Sequence, residues 1–441
     1  MHFEQKEKKN IYRKHILSQY GLNNKVAVRF FISGICDIIM INIAFRVYLP
    51  GFAIFANATD VVISILSSLF ICNFMANIFS PYVYSKFKNR NRTIIFIQLM
   101  ALFFLNMVVI IPLFIKGTAV GYIILAFTFV GMLLYGIFLS GYTIWVMTSI
   151  DKEKRATYIS IRESTARIVC IIAVIILSII IDKLGKGYIG FVIIYSVSFI
   201  IGIVENIYLR KIMKDSKKIE SKEIIDNKKL SLKKSIKIAW TNIVYRKICI
   251  GYALIFFIAW ICYPLRNLYM LKYLGMSYTS YSIILNLWFV LQAIFTIVWT
   301  KISHKIGWKK ILYILTLFYC AEYLCWVFVT RGSIFMLVPV YIFSGIANSG
   351  LPLAMLNGRY EYMPDENKIA YESFYNLLIG TAWLLGLILG NILRNIIPVP
   401  KVAFFGGTNI QIMFFISFVA GVIYFIYSKK YLFNIKVKTK E

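Results

Sequence analysis

Runs of about twenty apolar residues follow one another along the chain, parted by short polar segments. A helix of that length crosses a hydrocarbon core roughly 30 Å thick, whereas soluble core helices are shorter and carry a polar stripe. The pattern predicts spans over 27–50, 59–81, 93–115, 119–149, 157–182 and 187–210, then 248–272, 280–301, 309–331, 334–358, 371–395 and 410–430. The expected fold class is an all-α polytopic membrane protein with 12 transmembrane helices in two pseudo-symmetric six-helix halves.

Basic residues mark alternate connections. Lys86, Lys88, Arg90 and Arg92 follow the second span, and Lys152, Lys154 and Arg155 follow the fourth. Lys301, Lys305, Lys309 and Lys310 follow the eighth, and Lys429 and Lys430 the last. The intervening loops hold few, with Lys183, Lys186 and Lys401 as mild exceptions. Because Lys and Arg are retained on the cytosolic side, both termini and the middle segment are expected to face the cytosol. The expected organisation is a cytosolic N-terminal arm over 1–26, a six-helix bundle over 27–210, a basic cytosolic linker over 211–247, a second bundle over 248–430 and a cytosolic tail over 431–441. In the linker, Leu230, Leu232, Ile236 and Trp240 among lysines read as an amphipathic helix on the inner leaflet, with partner binding as the alternative. The charged arm passes straight into a full-length span with no small-residue cleavage site, so it reads as retained and not as a signal peptide.

Composition sharpens this. With 60% hydrophobic and 15% charged residues, a soluble chain of this size could not cover its surface. The net charge of +30 lies in the loops between spans, so it is a topology signal and not a nucleic-acid footprint. The seven cysteines fall in or beside apolar runs without a CxxC pair, which predicts inert thiols. The three histidines, His2, His15 and His304, lie outside the spans, and there is no HExxH, Walker A or nucleotide-binding glycine pattern. The expectation is therefore no enzyme, no cofactor and no metal site. Heavy use of Lys, Ile, Asn and Tyr fits an AT-rich bacterial genome.

The halves repeat one another. Tyr84-Ser85-Lys86-Phe87-Lys88-Asn89-Arg90 after the second span is answered by Ser303-His304-Lys305-Ile306-Gly307-Trp308-Lys309-Lys310 after the eighth. Glu153-Lys154-Arg155-Ala156-Thr157-Tyr158 after the fourth is answered by Glu366-Asn367-Lys368-Ile369-Ala370-Tyr371 after the tenth. Asn73 and Gln292 match at the same offset as the first loop pair. In these features the chain resembles the major facilitator superfamily over essentially its whole length. That family carries a G-x-x-x-D-R/K-x-G-R/K-R/K loop between its second and third helices, more weakly repeated between the eighth and ninth. The second copy fits better, through Lys305, Gly307, Lys309 and Lys310, with His304 in place of the acid; in the first, Ser85 replaces the acid and Lys88 the glycine. Without those acids the family's loop latch is in question. The resemblance implies a substrate site near the midplane between the halves, lined by helices one, four, seven and ten. The fifth span, Val169–Ile181, lacks the Gly-Pro-x-x-x-Gly-Gly signature of drug/proton antiporters.

An ionisable residue inside a span is costly and marks a cavity, a partner or a function. Asp37, mid-way along the first span on a face with Gly34, Ile41 and Ala44, is the leading candidate for proton coupling or cation binding. Withdrawn from water, a carboxyl there can exchange a proton; a structural hydrogen bond or ion pair is the alternative. In the seventh span, Tyr263, Arg266 and Asn267 flank Pro264, which frees a backbone carbonyl where a gate would bend. Arg266 is read as binding an anion, pairing with Asp37 or snorkelling to the outer interface. Tyr341, Asn348, Pro352, Met355 and Arg359 share a face of the tenth span, and Tyr135, Tyr142 and Trp145 share one on the fourth. Asn73, Gln292, Asn348 and Arg359 complete the candidate substrate and coupling set. Lys86, Arg90, Arg155, Arg162, Glu163, Arg167, Lys305, Gly307, Lys309 and Lys368 form the candidate inner-gate set, with Glu163 and Arg167 spaced to pair along one helix. Glu205 reads as snorkelling from the end of the sixth span, and Glu322, in a helix the resemblance puts at the periphery, receives no role.

The function expected is secondary active transport of a small molecule across a bacterial cytoplasmic membrane by alternating access, coupled to protons or else to sodium, in a monomer. A central acid among aromatics favours export of an amphipathic or cationic compound; Arg266 leans toward uptake of a small polar nutrient such as a sugar, amino acid or organic anion. A facilitator-like sensor or scaffold that does not transport is the rival of a different class.

Overall fold

The apolar runs become helices of membrane length. The computed structural model describes residues 25–87, 89–150, 155–215, 232–364, 368–399 and 408–431. Among the described residues, ten helices are long and apolar enough to cross a membrane. The chain divides into two compact units, Met1–Ile225 and Asp226–Glu441.

In the first unit, α1 is Lys25–Phe55, α2 Asp60–Ser68, α3 Ile71–Lys86, α4 Arg90–Phe114, α5 Ala119–Ser149, α6 Arg155–Lys183 and α7 Tyr188–Asp215. In the second, α8 is Leu232–Thr241, α9 Ile243–Tyr273, α10 Tyr278–Val327, α11 Arg331–Glu361, α12 Lys368–Ile396 and α13 Ile410–Tyr431. Polar residues at the helix starts cap free amides: Thr59 opens α2, Asn242 accepts from Tyr245 N at 3.0 Å, and Ser277 accepts from Ser280 N at 3.1 Å.

The helices are less regular than the apolar pattern predicts. α1 runs past its expected end through a π turn at Asn42–Val47, where Asn42 Nδ2 donates to Ile38 O at 2.7 Å. The expected second span is two helices parted at Leu69 and Phe70, and the second of them continues to Lys86. As expected, Pro264 interrupts α9, which resumes as Leu265–Leu268 and a π turn at Tyr269–Tyr273. The eighth and ninth spans are joined without the expected loop over 302–308: α10 is helical on both sides of Gly307, whose φ of 77° and ψ of 157° fold the chain there. Only glycine adopts that backbone freely, so one residue replaces a loop.

Each unit has an aromatic core. In the first, Phe52 packs on Phe191 and Tyr195 at 5.2 and 5.5 Å between ring centres, and Phe30 on Trp145 at 5.4 Å. In the second, Trp326 stacks on Phe414 at 4.8 Å. Elsewhere large apolar side chains stand outward, among them Phe114 at 82% exposure and Ile189 at 67%. Water would not tolerate so wide an apolar exterior; lipid does. α8 lies against α12 through Trp240 and Phe374, 6.0 Å apart, with Ala239 buried. A helix thus occupies 232–241 of the linker; Leu230, like the arm before residue 25 and the tail after 431, lies outside the described residues.

Candidate functional site

In the first unit, α1 carries Asp37 into the interior, where it is 4% exposed. Tyr135 Oη on α5 donates to its Oδ2 at 3.2 Å, and among the described residues Oδ1 has no hydrogen-bond partner. One turn before it, Gly34 makes room for α6. A Cβ there would lie 2.7 Å from Arg162 Cδ and 3.0 Å from Tyr142 Oη. Arg162 therefore reaches across α1, pairs with Glu163 at 2.9 Å and stands 5.9 Å from the Tyr142 ring centre. Both Arg162 and Glu163 act electrostatically on Asp37, so the carboxyl has a cation and an anion in its field but no ion pair among the described residues. Ser33 and Tyr142 hydroxyls, 3.0 Å apart, close this polar patch.

Glu205 overturns its expected snorkelling. It is 0% exposed, and Gln98 Nε2 on α4 donates to its Oε2 at 2.9 Å. Gln98 Oε1 accepts from Asn206 Nδ2 at 2.8 Å, and Asn206 Oδ1 from Arg210 Nε at 2.9 Å. The helix continues beyond residue 205 to Asp215, and the carboxyl turns into the unit instead of toward its surface.

In the second unit, Arg266 finds its partner inside the unit. Its Nη1 meets Glu322 Oε1 at 2.5 Å, with side-chain exposures of 10% and 0%. The guanidinium stands 5.2, 5.1 and 5.6 Å from the ring centres of Tyr263, Tyr323 and Trp326, and Ser344 lies beside the carboxylate. Glu322, without a role in the sequence reading, is the counterion. Asn267 Oδ1 accepts from Tyr281 Oη at 3.0 Å. Gln292 Nε2 donates to Asn348 O at 3.1 Å, while Asn348 Nδ2 donates to Ser344 O at 2.9 Å. Gln292 and Asn348 are thus brought together, whereas the face on α11 is divided: Tyr341 and Met355 are buried and Pro352 is exposed. In the first unit Asn73, the counterpart of Gln292, is 3% exposed and neither of its amide atoms has a hydrogen-bond partner among the described residues.

At the helix ends, Arg359 forks onto Glu372 through Nε at 3.3 Å and Nη2 at 2.9 Å, beneath Tyr375 at 3.9 Å. Lys309 reaches Glu361 at 3.9 Å and the Tyr362 ring at 4.7 Å. An acid at the end of α11, and not one within the second loop copy, thus faces Lys309. Lys86 lies over Tyr82 at 4.4 Å, Lys305 and Arg167 are exposed, Arg90 opens α4, Arg155 opens α6 and Lys368 opens α12. Lys88 and the acid-bearing segments around Glu153 and Glu366 lie outside the described residues.

The family model described as Major Facilitator Superfamily matches residues 248–441. Over nearly the whole chain, the structure of a bacterial homologue of the iron transporter ferroportin matches with TM-score 0.70 at 12% identity, covering 92% of this chain and 98% of that one. This is the major facilitator fold. An auto-inhibited POT family peptide transporter has the same facilitator fold, with TM-score 0.68 at 13% identity and coverage of 95% and 99%. A D-xylose-proton symporter follows, with TM-score 0.66 at 12% identity and coverage of 92% and 97%. No curated protein matches the sequence. Within the facilitator fold, the sequence reading found Asp37 and Arg266 because a charge inside an apolar run is conspicuous. The bonds from Tyr135 to Asp37 and from Arg266 to Glu322 escaped it, since each joins two helices and no spacing links them.

Proposed function

We propose that this facilitator is a secondary transporter that carries a small molecule across a cytoplasmic membrane by alternating access, driven by protons that bind at Asp37. The observation that carries the reading is Asp37 itself: a carboxyl 4% exposed in an apolar span, held by one tyrosine and left without an ion pair among the described residues. A charge so placed is costly, and a proton or the cargo removes the cost. A D-xylose-proton symporter among the matched structures supports proton coupling.

The cargo is an amphipathic or cationic compound, moved outward. Arg266 had leaned against a cation, but its charge is neutralised by Glu322 and shielded by three aromatic rings. Asp37 then remains a buried acid without an ion pair among the described residues. A thermal-shift screen of the purified protein against metabolites and drugs identifies the ligand, because binding to the folded state alone raises Tm. Flux of that ligand in reconstituted vesicles supports the proposal; binding without flux would establish the sensor or scaffold reading in its place.

A further inference from the structure

The Asp37 site has a second acid that proton coupling by one carboxyl does not use. α1 and α7 run antiparallel and touch at two levels: Ser198 Oγ donates to Met40 O at 3.4 Å, and Arg29 Nη1 donates to Lys211 O at 3.1 Å. Interpolating between those contacts sets Glu205 level with Gly34, one helical turn from Asp37. Glu205 lies in the field of Asp37, and Cys36, next to Asp37 in the chain, lies in the field of both.

The two carboxyls share three properties. Each is buried, at 4% and 0% exposure; each accepts one neutral hydrogen bond, from Tyr135 and from Gln98; and each keeps one buried oxygen without a hydrogen-bond partner among the described residues. Neither has an ion pair among the described residues. Arg162 is spent on Glu163, and Arg210 reaches Glu205 only through Asn206 and Gln98. The groups that face the pair are Tyr135 and Tyr142 on α5, Arg162 and Glu163 on α6, and Gln98 on α4, with Arg46 of α1 acting on Tyr135. Two anions in one low-dielectric pocket repel each other, so holding both ionised without a bound cation is unfavourable.

We propose that Asp37 and Glu205 form one proton-binding site between α1 and α7, in which ionisation of either carboxyl opposes ionisation of the other. The amide chain Gln98–Asn206 fixes Glu205 and leaves its second oxygen free for the proton. A proton arriving at either acid converts a shared double charge into a single one, and a second neutralises the site. The role of this site in transport rests on the proton-coupled reading; its existence does not.

Infrared spectroscopy of the full chain in lipid nanodiscs, titrated with protons alone, reads the stretch of protonated carboxyls directly. Carbon-13 labelling of glutamate, with the Glu205→Gln spectrum subtracted, separates Glu205 from Asp37 and from every other glutamate. The wild type should show a glutamate curve stretched over two steps. In Asp37→Asn it should collapse to a single step whose midpoint moves to lower pH by about 1 unit or more, the size expected of coupled sites. Glu205→Gln gives the same cycle read from the aspartate side, should the first variant not fold. A single-step glutamate curve in the wild type, or a Glu205 midpoint unmoved in Asp37→Asn, overturns the pair. Coupled titration without ligand flux would leave the pair standing and sink the transport reading instead.

Discussion

At the residue scale, the sharpest energetics belong to Arg266 and Glu322. A buried ion pair is weak evidence for stability, but removing one partner strands the other charge. Glu322→Gln should therefore destabilise the protein by about 3–5 kcal/mol. The double variant Arg266→Met with Glu322→Leu should recover most of that loss, read as thermal unfolding in detergent. Equal loss in single and double variants would mean the pair is not held in isolation as described. Gly34 offers a second test. Alanine there would press on Arg162 Cδ at 2.7 Å, at a cost of about 1–3 kcal/mol. The low end is expected because the guanidinium can swing aside, and the swing should alter the pH dependence of flux without abolishing folding.

At the element scale, the folding back of α10 at Gly307 depends on backbone freedom alone. No atom outside its own neighbours lies within 4 Å of an added Cβ, so there is no clash to blame. Gly307→Val should cost about 1–3 kcal/mol from the disfavoured φ and ψ. The same substitution at Gly380, which also has open space around it but lies within α12, should cost less than that. Thermal unfolding of the two variants compares them directly. This element also shows what sequence makes legible. Lys305-Ile306-Gly307-Trp308-Lys309-Lys310 marks the turn by its charge and its glycine, but the pattern cannot say that helix continues to the glycine on both sides. The break at Leu69 and Phe70 leaves the apolar run unbroken, so hydropathy passes over it, and the π turns in α1 and α9 carry no glycine or proline to mark them. Pro264 is the exception, because it removes a donor at a known place. Likewise Asp37 is visible as a lone charge in an apolar run. The burial of Glu205 and its bond to Gln98 join residues over a hundred positions apart, and no periodicity encodes them.

At the scale of the whole molecule, charge asymmetry and fold make separate predictions. Lys and Arg cluster in alternate loops, so the proposed topology puts both termini and residues 211–247 in the cytosol. Cysteines introduced over 215–230 should resist an impermeant thiol reagent added outside intact cells, and those near Ala56 should react; outside labelling of the linker would reverse the topology. The central claim is that protons drive transport through Asp37, and one measurement bears on it most directly. Vesicles reconstituted with the wild type should accumulate the identified ligand when a pH gradient is imposed. Asp37→Asn keeps the side-chain size and fixes the neutral state, so it should abolish that accumulation while exchange between equal pools partly persists. A folded, stable Asp37→Asn protein that still accumulates ligand against its gradient would contradict the account.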